Sequence, residues 1–277
     1  MAQPHPGRRR RDSRSSGRAW AVGGLAVALL AVGVGFFAGR SPTRAGERAR
    51  VDDPERFVAV ALELIETGRP ERLTDLIHAE SPEMRAVLDG LGRALASAAD
   101  LAEALAERFP DESSRLAASA FERWDARRPM RDGPTGDTFA AILVDPFGWV
   151  RNGADRLAVE PLSDDARAIT IDGAPALGVG LVVRRFDAGW QIVIPSGLPG
   201  VGAILPRSPE EWRIAGSMAA VLENALRDLA REVRSGRVRS VEDAARRAGE
   251  MAWGPLVMTW IAYQRAREIS GGAGQVR

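Results

Sequence analysis

Residues 19–39 read AWAVGGLAVALLAVGVGFFAG, 21 consecutive residues without a charge between Arg18 and Arg40. Nothing else in the chain constrains its structure as strongly. At a helical rise of about 1.5 Å per residue the run is about 30 Å long, the thickness of a bilayer's hydrocarbon core. Secretory signal peptides carry a shorter apolar region of about 7–15 residues. The length therefore predicts a retained transmembrane helix. The cleavage signals are weak: VGFFAGR places Phe three residues before a cut after Ala38, and SPTRAG offers Thr43 with Ala45 as a poor but usable site. The arginine run RRRRDSRS lacks the apolar residues that follow the pair in a twin-arginine export signal. Gly24–Ala28 and Ala31–Gly35 are small-xxx-small pairs, in a chain where Gly and Ala are common throughout.

Charge sets the orientation. Residues 1–18 carry six Arg and one Asp, a net +5, and are polar and rich in Pro, Gly and Ser; they read as a disordered tail. Residues 39–50, GRSPTRAGERAR, carry about +3. The tail is the more positive flank, which places the N-terminus in the cytoplasm and the remaining chain outside the membrane. After residue 18 the other 32 Arg face 36 acids, so the folded part offers no basic surface for nucleic acid.

Composition removes several chemistries. The chain has no Cys, hence no thiol nucleophile, Cys-ligated zinc, iron–sulfur cluster or disulfide. All 38 basic residues are Arg, which removes Schiff-base lysines, the P-loop lysine and Ser–Lys dyads. Of the two His, His5 lies in the tail and His78 alone lies in the presumed domain. A two-His metal site within one chain is thereby excluded, and any Ser–His–Asp triad must use His78.

The remaining chain alternates its periodicity. Residues 40–52 read as a linker. Asp53-Pro54 is an N-cap with Pro at the first helical position, and Phe57, Val60, Ala61, Leu64 and Ile65 recur at helical spacing until Gly68. A short helix is predicted from Pro70 to about Ala79. A third runs from Ser81-Pro82 towards Phe109. A fourth is capped by Asp111 and ends near Arg128. RRPMRDGPTGD is a loop and separates a helical part, 53–130, from a sheet part, 131–200. In the sheet part TFAAILVDPFGWV is apolar with a break at Pro146. RLAVEPL, ARAITID, LGVGLVVRRFD and GWQIVIP follow as strands between the turns Ser163-Asp164-Asp165, Asp172-Gly173 and Asp187-Ala188-Gly189, an antiparallel meander. After SGLPGVGAILP, the part 201–269 opens with Ser208-Pro209-Glu210-Glu211 in capping-box form. Trp212, Ala215, Met218, Ala219, Leu222, Leu226, Leu229 and Val233 then share one face, and Gly236 ends the helix. Ser240 with Asp243 opens the last helix, Gly254-Pro255 predicts a kink, and 270–277 is a tail. Segregated helices and strands make the fold class α+β: a transmembrane helix, helices, a small antiparallel meander and two C-terminal helices.

Helices followed by a meander that closes on a Gly-Trp strand, DAGWQIVIP, resemble the NTF2-like family over about residues 53–196. The resemblance implies a curved sheet wrapped round a long helix as a cone that binds a small molecule or a partner, often without catalysis. The long helical part before the sheet and the two helices after it depart from the minimal fold, and no functional residue is carried over.

Each chemically interesting group has a structural alternative. His78, in LTDLIHAE, is a general base if Asp75 or Glu80 orients it; near a helix end it is more simply a cap. Asp145, in LVDPFGWV beside Phe147 and Trp149, is an acid–base group if buried, but Asp-Pro followed by Gly148 is ordinary turn chemistry. Arg184 and Arg185 point to opposite faces of a strand, so one of them can reach an anion on the sheet. Trp149 and Trp190 line a pocket or fill a core. Gly178-Val-Gly180 falls within a predicted strand, and Gly200-Val-Gly202, between a strand and a helix, lacks the third glycine of a dinucleotide fingerprint. Asp52-Asp53, Asp164-Asp165 and Glu210-Glu211 fall at helix starts and a turn, where acids are placed for local reasons.

The sequence thus names no catalytic, cofactor-binding or metal-binding residue. It predicts a single-pass protein of the cell membrane with an extracytoplasmic domain that binds or scaffolds in the envelope without catalysis. Its partners are the lipid bilayer and an envelope protein or a second copy of the chain, and not nucleic acid. A ligand carrier, or an enzyme built on Asp145 with Arg184 or Arg185, is the alternative.

Overall fold

The computed structural model describes residues 48–123, 136–176, 181–194 and 205–272. The uncharged run 19–39 lies outside the described residues, as do the connector at 195–204, most of the loop at 127–137, and both Gly-Val-Gly motifs. Among the described residues no helix is long and apolar enough to cross a membrane. The described chain is α+β, with a small antiparallel sheet between helical segments.

Local signals place most of the elements. Asp53 is extended and its carboxylate accepts the Glu55 N–H, opening a 3-10 turn, Pro54–Arg56, and then helix α1, Phe57–Glu66. Gly68, at φ +68°, reverses the chain. The helix expected from Pro70 is a seven-residue 3-10 helix, Pro70–Leu76. It stops early because Ile77 turns extended and lies beside the last strand, where His78 N–H donates to the Ile192 carbonyl. The Ser81 hydroxyl accepts the Met84 N–H and starts helix α2, Pro82–Arg108. Helix α3, Pro110–Arg123, opens on Pro110, and Asp111 lies in its first turn.

Two boundaries read from the sequence shift. The apolar stretch after residue 135 is helical, as α4, Gly136–Val144, and α5, Gly148–Gly153. Ala140, Leu143 and Val144 bury one face of α4 in a helical core, and a 3-10 turn, Ala154–Arg156, follows α5, so the sheet part begins only after residue 156. An apolar run of this length carries no period that separates buried helix from buried strand. The linker also ends sooner than residue 52. Ala49 N–H donates to Asp75, Val51 is buried, and its carbonyl accepts the Trp190 N–H at 2.7 Å.

The sheet consists of β1, Leu157–Ser163; β2, Ala166–Ile171; β3, Ala174–Pro175; β4, Leu181–Phe186; and β5, Gly189–Val193. Its order is β1-β2-β4-β5, all antiparallel, with the short β3 also on β2. Asp172 and Gly173, both at positive φ, form the tight turn between β2 and β3. The outer edge of β5 is covered by Val51 on one group and by His78 on the next, which removes an exposed strand edge.

Helix α6, Pro209–Arg234, and helix α7, Val241–Gly272, complete the fold. The latter runs through Pro255 and extends to Gly272, beyond the expected end at 269. Helices α2 and α6 run in the same direction: Met84 and Leu88 share a cluster with Ala219 and Trp212, Arg93 pairs with Glu223 and Asp100 with Arg234. Helix α7 runs antiparallel to α6, with Arg247 on Glu232 near one end and Ser270 near Ser208 at the other. Helix α2 contributes to all three apolar clusters: with α4, α6 and α7 through Leu101 and Leu105; with α1 and the sheet through Leu95 and Ala99; and with β5 and α6 through Leu88 and Leu91.

Gly92 permits the close approach of α2 to the 3-10 helix. A Cβ there would lie 2.5 Å from the Glu71 carbonyl oxygen and 3.1 Å from Thr74 Oγ1. Backbone cannot yield as a flexible side-chain tip does. Gly92→Ala is expected to destabilise by about 2 kcal/mol despite alanine's better helix propensity, read as a lowered midpoint in urea.

Candidate functional site

The sequence candidates are dispersed by the fold. His78 is partly buried and stacks on Phe186, with ring centroids 3.7 Å apart and planes 4° from parallel. Its Nδ1 lies 3.2 Å from Gln191 Oε1. The Gln191 amide nitrogen donates to the Asp75 carbonyl, which accepts only, so the amide oxygen faces the imidazole and His78 Nδ1–H is the donor. Neither proposed orienting acid reaches the ring. The Asp75 carboxylate takes the Ala49 N–H and the Arg72 guanidinium, and Glu80 is exposed. His78 therefore joins the 3-10 helix to β5, and no base–acid pair is formed.

Asp145 lies in the turn between α4 and α5 and pairs with Arg151. Arg184, on β4, pairs at 3.0 Å with Asp165 in the β1–β2 turn, and Arg185 is exposed. Arg184 and the Ser163 hydroxyl hold the Asp165 carboxyl below its ordinary range, the hydroxyl contributing most. The structure thus does not bring Asp145 and Arg184 together. Trp190 is buried and Trp149 partly buried in one apolar cluster, and the Arg167 guanidinium lies 5.1 Å from the Trp190 ring centre. Among the acid pairs, Asp53 and Glu211 are helix caps, and Asp165 is a turn acid. Among the described residues no group of three or more His, Cys, Asp or Glu could hold a metal ion.

One buried polar cluster was not legible beforehand. Glu211 is fully buried at the start of α6, where its carboxylate accepts the Arg207 N–H at 2.9 Å while its own N–H donates to Ser208 Oγ. This is a capping box reaching one residue further back than the usual form. Ser240 and Asp243 repeat it at the start of α7, with the Asp243 carboxylate on the Arg239 N–H. Beside Glu211, Tyr263 of α7 is buried, with Arg267 Nη1 3.3 Å from its hydroxyl. Burial, reinforced by the Glu211 charge and opposed by Arg267 and Arg207, pushes the Tyr263 phenol up to about 12. A capping-box pattern locates Glu211 in the sequence; only the return of α7 puts Tyr263 beside it. The arrangement fastens α7 to α6 and keeps a phenol neutral. The Ser208 hydroxyl that caps the helix also lies 3.4 Å from the Glu211 carboxylate.

The raised phenol gives a signed pH dependence. An unfolded tyrosine ionises near pH 10, whereas the folded phenol keeps its proton to about 12. The folded state binds more protons in between, so stability is intact below pH 10 and falls by about 2 kcal/mol on approaching pH 12. Tyr263 is the chain's one tyrosine, so phenolate absorbance near 295 nm titrates it alone. Tyr263→Phe is expected to abolish that signal and flatten this part of the alkaline stability curve.

Comparisons with protein-family models, curated proteins and solved structures give no match.

Proposed function

We propose that this chain is a single-pass membrane protein whose N-terminal tail is cytoplasmic and whose α+β domain lies outside the membrane. There it acts by binding or scaffolding and not by catalysis. The observation that carries the reading is the 21-residue uncharged run between Arg18 and Arg40, with the more positive flank on its N-terminal side. The local engagement of His78, Asp145 and Arg184 in separate contacts supports a non-catalytic domain. The NTF2-like relationship belongs to the same proposal, supported by helices that precede an antiparallel meander closing on Gly189-Trp190.

Protease treatment of intact spheroplasts carrying the full chain with a C-terminal tag tests the topology. The expected species is membrane-bound, keeps residues 1–50 and loses its tag to external protease. A mature soluble chain beginning near Gly46, or a tag protected in intact cells, overturns the reading. Purification from detergent-solubilised membranes at near-native expression tests the binding role, and recovery of the chain without any partner counts against it.

A further inference from the structure

Five large apolar side chains stand exposed among the described residues, and four of them are on α7: Trp253 at 53%, Met258 at 67%, Ile261 at 42% and Ile269 at 75%. At 100° per residue, Met258, Ile261 and Ile269 fall on one stripe with Arg265, and Trp253 lies outside it, about 120° from its centre. The opposite face of the same helix buries Tyr263 against α6. Helix α7 is thus apolar on both sides over its C-terminal half, and the described residues cover only one side.

The fold also places this stripe relative to the N-terminus. The described chain begins at Arg48, whose charge acts on Arg85 in the first turn of α2. Ala49 is fastened to Asp75 of the neighbouring 3-10 helix. Helices α2 and α6 start at the same end, because Met84 shares a cluster with Trp212. The antiparallel α7 finishes there, with Ser270 near Ser208. The point where the chain joins the domain and the apolar half of α7 therefore lie at one end of the helical layer. Only residues 40–47 separate Arg48 from the uncharged run, and eight residues span at most about 30 Å. On the anchor reading, a tether of that length holds the C-terminal turns of α7 within reach of the bilayer surface.

We infer that the exposed stripe of α7 docks on the surface of the membrane that carries the anchor. The inference rests on the anchor reading proposed above. A helix that lies in the interface sinks its apolar face to the level of the lipid headgroups, where arginine meets anionic lipid; Arg265, on the stripe, suits that place.

The absence of cysteine makes the test clean. The full chain is reconstituted in vesicles of phosphatidylcholine and phosphatidylglycerol in equal amounts. Single cysteines at Met258→Cys or Ile269→Cys carry a spin label, with Ser235→Cys, at the opposite end of the helical layer, as reference. The expected result is several-fold greater access to oxygen relative to a water-soluble nickel complex at 258 and 269 than at 235. Adding Met258→Glu and Ile261→Glu to the Ile269→Cys chain should return that label to water, with helix content unchanged by circular dichroism. Labels at 258 and 269 that are as water-exposed as at 235 overturn the proposal. So do labels shielded from both relaxants, which would mean that a second copy or another protein covers the face. Alkaline extraction of the same vesicles reports the anchor separately. A retained chain with water-exposed labels fails the docking surface alone, whereas an extracted chain fails the anchor and the tether together.

Discussion

Leu229→Ala is expected to cost about 3–4 kcal/mol, the largest effect of any single truncation proposed for this protein. Leu229 is completely buried on α6, in the cluster that also holds Leu101 and Leu105 of α2 and Val241 and Ala244 of α7. Removing its isobutyl group loses the transfer free energy of the buried atoms. It also leaves a cavity walled by three helices, which cannot all relax inwards. Thermal unfolding followed by circular dichroism measures the change. The exposed Met258 is the internal comparison, because its truncation should alter the stability of the detergent-solubilised chain by less than about 0.5 kcal/mol. Equal losses at the two positions would mean that the exposed stripe of α7 is covered and that the helical core is not built as described.

Gly189→Ala is expected to cost about 3 kcal/mol through two independent effects. Gly189 adopts φ +100°, a conformation that side chains resist, and an added Cβ would lie 2.6 Å from the Val51 carbonyl oxygen. That same oxygen accepts the Trp190 N–H, so relief of the clash pulls the incoming chain away from the edge of β5. The expected signature is a lowered unfolding midpoint together with faster amide exchange at Trp190. A Gly189→Ala protein with unchanged midpoint and protection would show that Val51 does not close the sheet edge.

Some elements were legible because their causes are local. Ser81-Pro82, Ser208-Pro209 and Ser240 start helices through a hydroxyl that accepts an N–H three residues on, a contact specified within four residues. The strands β1, β2, β4 and β5 were legible as short segments between Asp- and Gly-containing turns, since a tight turn fixes the register of its neighbours. The helix α4 was not, because a short apolar run looks the same whether it is buried as helix or as strand. The linker boundary was missed for a related reason: Val51 is held by a carbonyl–amide contact with Trp190, far along the chain, and no local pattern marks it.

The candidate chemical groups divide in the same way. That His78, Asp145 and Arg184 exist, and that no lysine or cysteine does, is a property of the sequence alone, and it excludes whole reaction classes without any coordinates. The uncharged run and its unequal flanks likewise follow from composition along the chain, because a bilayer responds to length and charge and not to tertiary contacts. Which groups meet was decided only by tertiary structure. Gln191 took His78 and Asp165 took Arg184, while the return of α7 buried Tyr263 beside Glu211 and left Met258, Ile261 and Ile269 facing outwards. Hydrogen-bond geometry acts over about 3 Å, and residues distant in sequence come within that range only after the helices have packed.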